Sequence, residues 1–99
     1  NSKVADIYFG LVKNGLQPYV FDPLAYADEV EYEYKIKLVG KDSLPKADLL
    51  VIAVAHDEFK SILGDQLDAI INPGAIIFDI KNILNRKEIE SKGYKYWTL

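Results

Sequence analysis

The residues of this chain that could do chemistry stand directly after its apolar runs. Asp22 follows Tyr19-Val20-Phe21, His56-Asp57-Glu58 follow the run from Leu49 to Ala55, and Asp79-Ile80-Lys81-Asn82 close the run that opens at Ala75. In an open parallel sheet, ligands bind outside the carboxyl ends of the strands, so these are the positions where binding would occur. Each has two readings. An acid placed like Asp22 can hold a ribose hydroxyl of a dinucleotide, but that use needs a glycine-rich turn about 20 residues earlier, and only the single glycines Gly10 and Gly15 precede it. Its other reading is a turn former before Pro23. His56 is the sole histidine. Imidazole titrates near neutrality and can serve as a base or a metal ligand. With no cysteine and no second histidine beside it, it also reads as a loop residue that hydrogen-bonds backbone at a strand end. Lys81 offers a point charge suited to a phosphate, or else is a solvated loop lysine. The acids Asp28, Glu29, Glu31 and Glu33 read as a solvated helix face, and Tyr94, Tyr96 and Trp97 as core or edge packing rather than a stacking platform. The spacing of these residues assigns no catalytic residue, no metal-ligand set and no cofactor-binding loop to the chain.

Positioning these residues requires strands that alternate with helices. Val4, Ile7, Tyr8, Leu11 and Val12 recur at three- and four-residue spacing, which predicts a helix over 2–14. Ser2 is its expected cap, and Gly15 its end, because glycine tolerates the left-handed conformation. Residues 19–21 form a short strand stopped by Pro23, 25–34 an acidic helix and 36–39 an edge strand. Residues 49–55 are apolar on both faces, as a covered parallel strand must be. A helix capped by Asp57 follows, broken at Gly64 and resumed at 66–71. Asn72-Pro73-Gly74 is a turn, 75–79 a second buried strand, 85–92 a helix closed by Gly93, and 94–97 a last strand. Regular alternation implies crossover connections and a parallel sheet. The expected fold class is therefore α/β: a three-layer Rossmann-like parallel sheet with helices on both faces. A doubly wound sheet puts its first strand at the centre, and the chain opens on a helix, so that strand is expected upstream of Asn1.

The bulk properties exclude several classes. Ninety-nine residues fit one domain. A net charge of −3 gives no electrostatic attraction for nucleic acid or an anionic membrane, and neither is expected as a partner. Cysteine is absent, which rules out disulfides and thiolate chemistry within these residues and fits a cytoplasmic protein. No apolar run approaches the roughly 20 residues of a membrane span. The chain lacks methionine and starts Asn1-Ser2-Lys3; a domain excised from a longer protein is expected.

Four stretches, taken in order, point to a family. They are Asn1-Ser2-Lys3-Val4-Ala5-Asp6-Ile7, Val20-Phe21-Asp22-Pro23, Ala47-Asp48 leading to Ala53-Val54-Ala55-His56-Asp57-Glu58-Phe59, and Phe78-Asp79-Ile80-Lys81-Asn82-Ile83-Leu84. Across nearly the whole chain this pattern resembles the C-terminal, UDP-binding domain of the UDP-glucose/GDP-mannose dehydrogenase family. The form Ala53-Val54-Ala55-His56-Asp57-Glu58-Phe59 is more similar to the branch acting on UDP-N-acetylhexosamines than to the UDP-glucose branch. The resemblance implies a parent enzyme that oxidises C6 of a UDP-sugar from alcohol to carboxylate with NAD, for surface polysaccharide such as capsule. It implies that NAD sits on an N-terminal Rossmann domain, that the covalent catalysis uses a cysteine, and that a central helix makes a homodimer or higher homo-oligomer. All three lie outside residues 1–99, so this chain alone is expected to be inactive. The resemblance implies substrate binding by Lys81 and Asn82. Lys81 stands where the family often has arginine; lysine keeps the charge and loses the bidentate fork. His56 matches a family position without an assigned role. The family's preceding strand, with a Phe-Lys stretch and a following arginine, is expected upstream.

Two other readings remain for the residues themselves. A stand-alone NAD-binding or regulatory Rossmann module would use Asp22 for the ribose and needs a glycine-rich turn upstream. A receiver-like signalling domain would need an acidic pocket with a partner lysine, and Asp79 and Lys81 stand too close in sequence for that arrangement.

Overall fold

The computed structural model of the chain describes residues 2–21, 39, 44–55 and 57–99. The chain forms two compact units, Asn1–Leu44 and Pro45–Leu99. Asp22, the expected helix at 25–34, most of the edge strand at 36–39 and His56 lie outside the described residues.

In the first unit, helix α1 spans Ser2–Lys13. Ser2, expected as its cap, is instead its first helical residue. The helix ends as expected at Gly15, whose φ of 84° is in the left-handed region. The Gly15 N–H donates to Val12 C=O and the Leu16 N–H to Leu11 C=O. These two bonds make a Schellman closure, which satisfies carbonyls the helix end would leave open. Ala5 is buried, while Phe9 and Val12 are exposed. The expected strand at 19–21 is reduced to a single bridge residue, Val20. Its carbonyl accepts from the Val39 N–H at 2.9 Å.

The second unit is an open parallel sheet with its helices. Its elements are β1 (Ala47–Ile52), α2 (Asp57–Ile70), β2 (Ile71–Asp79), α3 (Arg86–Ser91) and β3 (Lys95–Thr98). The strand order is β1-β2-β3, and both pairs are parallel. This order runs in one direction, as in one wing of a doubly wound sheet, so the fold is Rossmann-like in partial form. The strand read as 49–55 stops at Ile52 and lies at the margin of this sheet; β2 is the central strand.

Alternation along the strands sorts their side chains. Leu50, Ile52, Ala75, Ile77, Tyr94 and Tyr96 face Leu63 and Leu67 of α2 and Ile89 of α3, forming the core. On the other face of the sheet Leu49, Ile76 and Trp97 are exposed. Tyr94 and Tyr96 are thus core residues, as expected, while Trp97 is 63% exposed.

Two expectations about α2 and β2 are adjusted. The break expected at Gly64 falls two residues later, at Gln66, where φ is −126° and ψ is 15° and two helical segments meet at a kink within Asp57–Ile70. Leu63 and Leu67, on either side of that kink, are both nearly fully buried. The turn at Asn72-Pro73-Gly74 is drawn into β2, yet it keeps its turn character. Partners advance from Ala47↔Ile71 to Leu49↔Ile76, so the extra residues bulge out of the ladder. Gly74 has φ 77°, and Asn72 Nδ2 ties the bulge to Asp48 Oδ1 at 3.0 Å.

Candidate functional site

The last residue of the central strand is Asp79. Alternation sends its side chain to the helix-covered face, where it is fully buried. A buried carboxylate is costly unless donors reach it. Two do so, both at Oδ2: the Leu84 N–H at 2.8 Å and the Tyr96 hydroxyl at 2.6 Å. Oδ1 is buried with no hydrogen-bond partner among the described residues.

Tyr96 has one hydroxyl proton, and the short contact to Asp79 takes it. The 3.3 Å approaches of the same hydroxyl to Asn82 Oδ1 and Leu84 C=O are weaker competitors. Burial pushes the Tyr96 phenol up to about 12, helped by its hydrogen bond to Asp79 and by that residue's negative charge. Both environments oppose a second anion beside the first. Arg86, the first residue of α3, donates from Nη1 to the Tyr96 carbonyl at 3.0 Å. Its guanidinium carbon lies 5.0 Å from the centre of the Tyr96 ring, a cation–π distance.

These bonds shape the segment that leaves β2. The Ile80 N–H extends the ladder to Ile52 C=O at 3.0 Å, and the Asn82 N–H turns back to Asp79 C=O at 3.2 Å. Thr98 Oγ1 donates to that same carbonyl at 2.7 Å. Asn82 has φ 54°, a left-handed conformation that asparagine tolerates better than most residues. Lys81, at the tip of this turn, is exposed. Asn85 Oδ1 then accepts the Glu88 N–H at 3.0 Å and starts α3.

Of the residues singled out from the sequence, Lys81 and Asn82 therefore lie together at the carboxyl end of the central strand, where an open parallel sheet binds ligands. Asp57, expected to cap α2, is its exposed first residue. Sequence reasoning quoted Asp79 without foreseeing its burial, and it missed the pairing with Tyr96 and the stacking of Arg86. A signal did exist. In the run 94–97 the alternation sets Tyr94 and Tyr96 on one face and Lys95 and Trp97 on the other, so the Tyr96 hydroxyl had to find a partner in the core. An apolar depression lined by Leu49, Ile76, Phe78, Trp97, Thr98 and Leu99 lies on the opposite face of the sheet; Thr98 is common to it and to the polar set around Asp79.

Among the described residues no group of three histidine, cysteine, aspartate or glutamate side chains could hold a metal ion, and no helix is long and apolar enough to cross a membrane. A dinucleotide pyrophosphate needs a Gly-x-Gly-x-x-Gly turn entering a helix. The six glycines stand singly, at 10, 15, 40, 64, 74 and 93, so these residues do not fit NAD.

Comparison with known proteins gives this geometry a context. Residues 1–86 match the model of the UDP-glucose/GDP-mannose dehydrogenase family, UDP binding domain. The chain is 34% identical over 85 residues to UDP-N-acetyl-D-glucosamine 6-dehydrogenase of Pseudomonas aeruginosa, covering 86% of this chain and 20% of that protein. It is 32% identical over 87 residues to UDP-N-acetyl-D-mannosamine dehydrogenase of Methanococcus maripaludis, covering 86% and 19%. Protein CapL of Staphylococcus aureus is 29% identical over 99 residues, covering 100% and 23%. The chain thus spans about a fifth of the length of the curated relatives it matches.

Proposed function

The chain belongs to the UDP-glucose/GDP-mannose dehydrogenase family, through its UDP binding domain, and from that premise we propose that it is the nucleotide-sugar-binding part of an NAD-dependent UDP-N-acetylhexosamine 6-dehydrogenase. The relatives named for N-acetylglucosamine and N-acetylmannosamine substrates favour the hexosamine branch over UDP-glucose. The parent enzyme would make a UDP-uronic acid for surface polysaccharide in the cytoplasm, as a homodimer or larger homo-oligomer. NAD would be held by a separate domain, and hydride transfer would occur there, so residues 1–99 supply substrate binding only.

The observation that carries this reading is that the family match takes in the Lys81-Asn82 turn at the end of the central strand. The Lys81 ammonium balances the charge of the diphosphate, and the Asn82 amide donates a hydrogen bond to the nucleotide. A hydrogen bond to a charged group contributes about 1.5–3 kcal/mol. Lys81→Ala in the intact protein is therefore expected to raise the Kd for UDP by about 10- to 100-fold, measured by titration calorimetry. Unchanged affinity removes Lys81 from the site.

A further inference from the structure

We infer that Asp79 and Tyr96 are positioning residues for the nucleotide-sugar site: their buried hydrogen bond clamps the turn that presents Lys81 and Asn82. This inference rests on the preceding reading of those two residues as substrate ligands.

The turn would not hold its shape through local contacts alone. Its backbone closure, Asn82 N–H to Asp79 C=O, is long at 3.2 Å, and Asn82 is in the left-handed region. Such a conformation persists where its surroundings over-determine it. Asp79 supplies that constraint. One carboxylate oxygen holds the Leu84 N–H, five residues along the chain, and the Tyr96 hydroxyl, on a neighbouring strand. Residues 80–83 are thus closed between two fixed points, and the closure is anchored to β3 through Tyr96 and again through Thr98. Its other oxygen is buried without a donor among the described residues. A buried group of this kind calls for a role beyond packing.

The test combines Tyr96→Phe with Lys81→Ala in the intact protein. Phenylalanine keeps the ring beneath Arg86 and removes only the hydroxyl. Tyr96→Phe is expected to speed amide hydrogen exchange at Asn82 and Leu84 and to weaken UDP binding about fivefold, with a smaller loss, the share due to Asn82, when Lys81 is already alanine. A role confined to stability would weaken UDP by the same factor in both backgrounds, and that result overturns the inference. So does unchanged exchange at Leu84, or unchanged UDP affinity in Tyr96→Phe while Lys81→Ala weakens it; either leaves the nucleotide-sugar reading standing. If Leu84 exchange rises but neither variant alters UDP binding, the clamp exists and the reading of Lys81 has failed, taking the positioning role with it.

Discussion

Alkaline pH should strip stability from this fold through one tyrosine. Tyr96 is 5% exposed, and its phenol is raised from 10.0 to about 12 in the native state. An unfolded tyrosine ionises near 10. Between those two values the native chain holds a proton that the unfolded chain has released, so stability falls as pH rises. A difference of that size corresponds to roughly 2–3 kcal/mol at most. That contribution is present in full below pH 10 and lost as pH climbs through 12. The chain has seven tyrosines, so the raw pH dependence does not isolate Tyr96. The informative quantity is the difference in unfolding free energy between the wild type and Tyr96→Phe, measured by denaturant titration at intervals from pH 9 to pH 12. The variant lacks the titrating group but retains the ring. The difference should shrink steadily across the window, with most of the loss between pH 10 and 12. A difference that stays flat means the Tyr96 phenol is not buried beside Asp79 as the fold places it.

Other perturbations test the frame around the site. Ile77 is fully buried on the central strand, and Ile77→Ala should cost about 2–5 kcal/mol in chemical denaturation; a cost below about 1 kcal/mol would contradict its place in the core. Asn85 caps α3 through the Glu88 N–H, so Asn85→Ala should cost about 1 kcal/mol in the same assay, whereas Asn85→Asp should retain most of that stability. Gly93 has φ 92° and open space around its α-carbon, so Gly93→Ala should cost about 1–2 kcal/mol through backbone strain alone, seen as a lower thermal midpoint without a change in UDP affinity.

The features legible in the sequence were those decided locally. Gly15 and Gly93 end their helices because only a left-handed residue fits there, and the helix expected at 85–92 forms at Arg86–Ser91. The parallel sheet followed from the alternation of apolar runs with helical spacing. Features decided by distant contacts were not legible. The break expected at Gly64 falls two residues later, at Gln66, between the buried Leu63 and Leu67. The bulge at 72–74 depends on pairing with β1. Lys81 and Asn82 were singled out from their place after a strand, but the Asp79–Tyr96 bond joins residues 17 apart, and neither residue alone signals the other.

Packing would not have chosen aspartate for the end of β2. Position 79 lies on the same face as Ile77 and in register with Ile52, so a β-branched apolar residue there would extend the core. Replacing a buried charged group by an apolar one is often neutral or stabilising. What an apolar residue cannot do is accept two hydrogen bonds from segments that do not otherwise touch in sequence. The Leu84 N–H belongs to the loop, and the Tyr96 hydroxyl belongs to the next strand. Parallel neighbours such as β2 and β3 are joined through a helix rather than a tight hairpin, so the loop after β2 has no turn to fix it against β3. A carboxylate at the strand terminus provides that fixture at the carboxyl end of the sheet, the end at which open parallel sheets bind ligands. Oδ1, without a donor among the described residues, gains nothing from this arrangement; the turn at Lys81-Asn82 gains two fixed points.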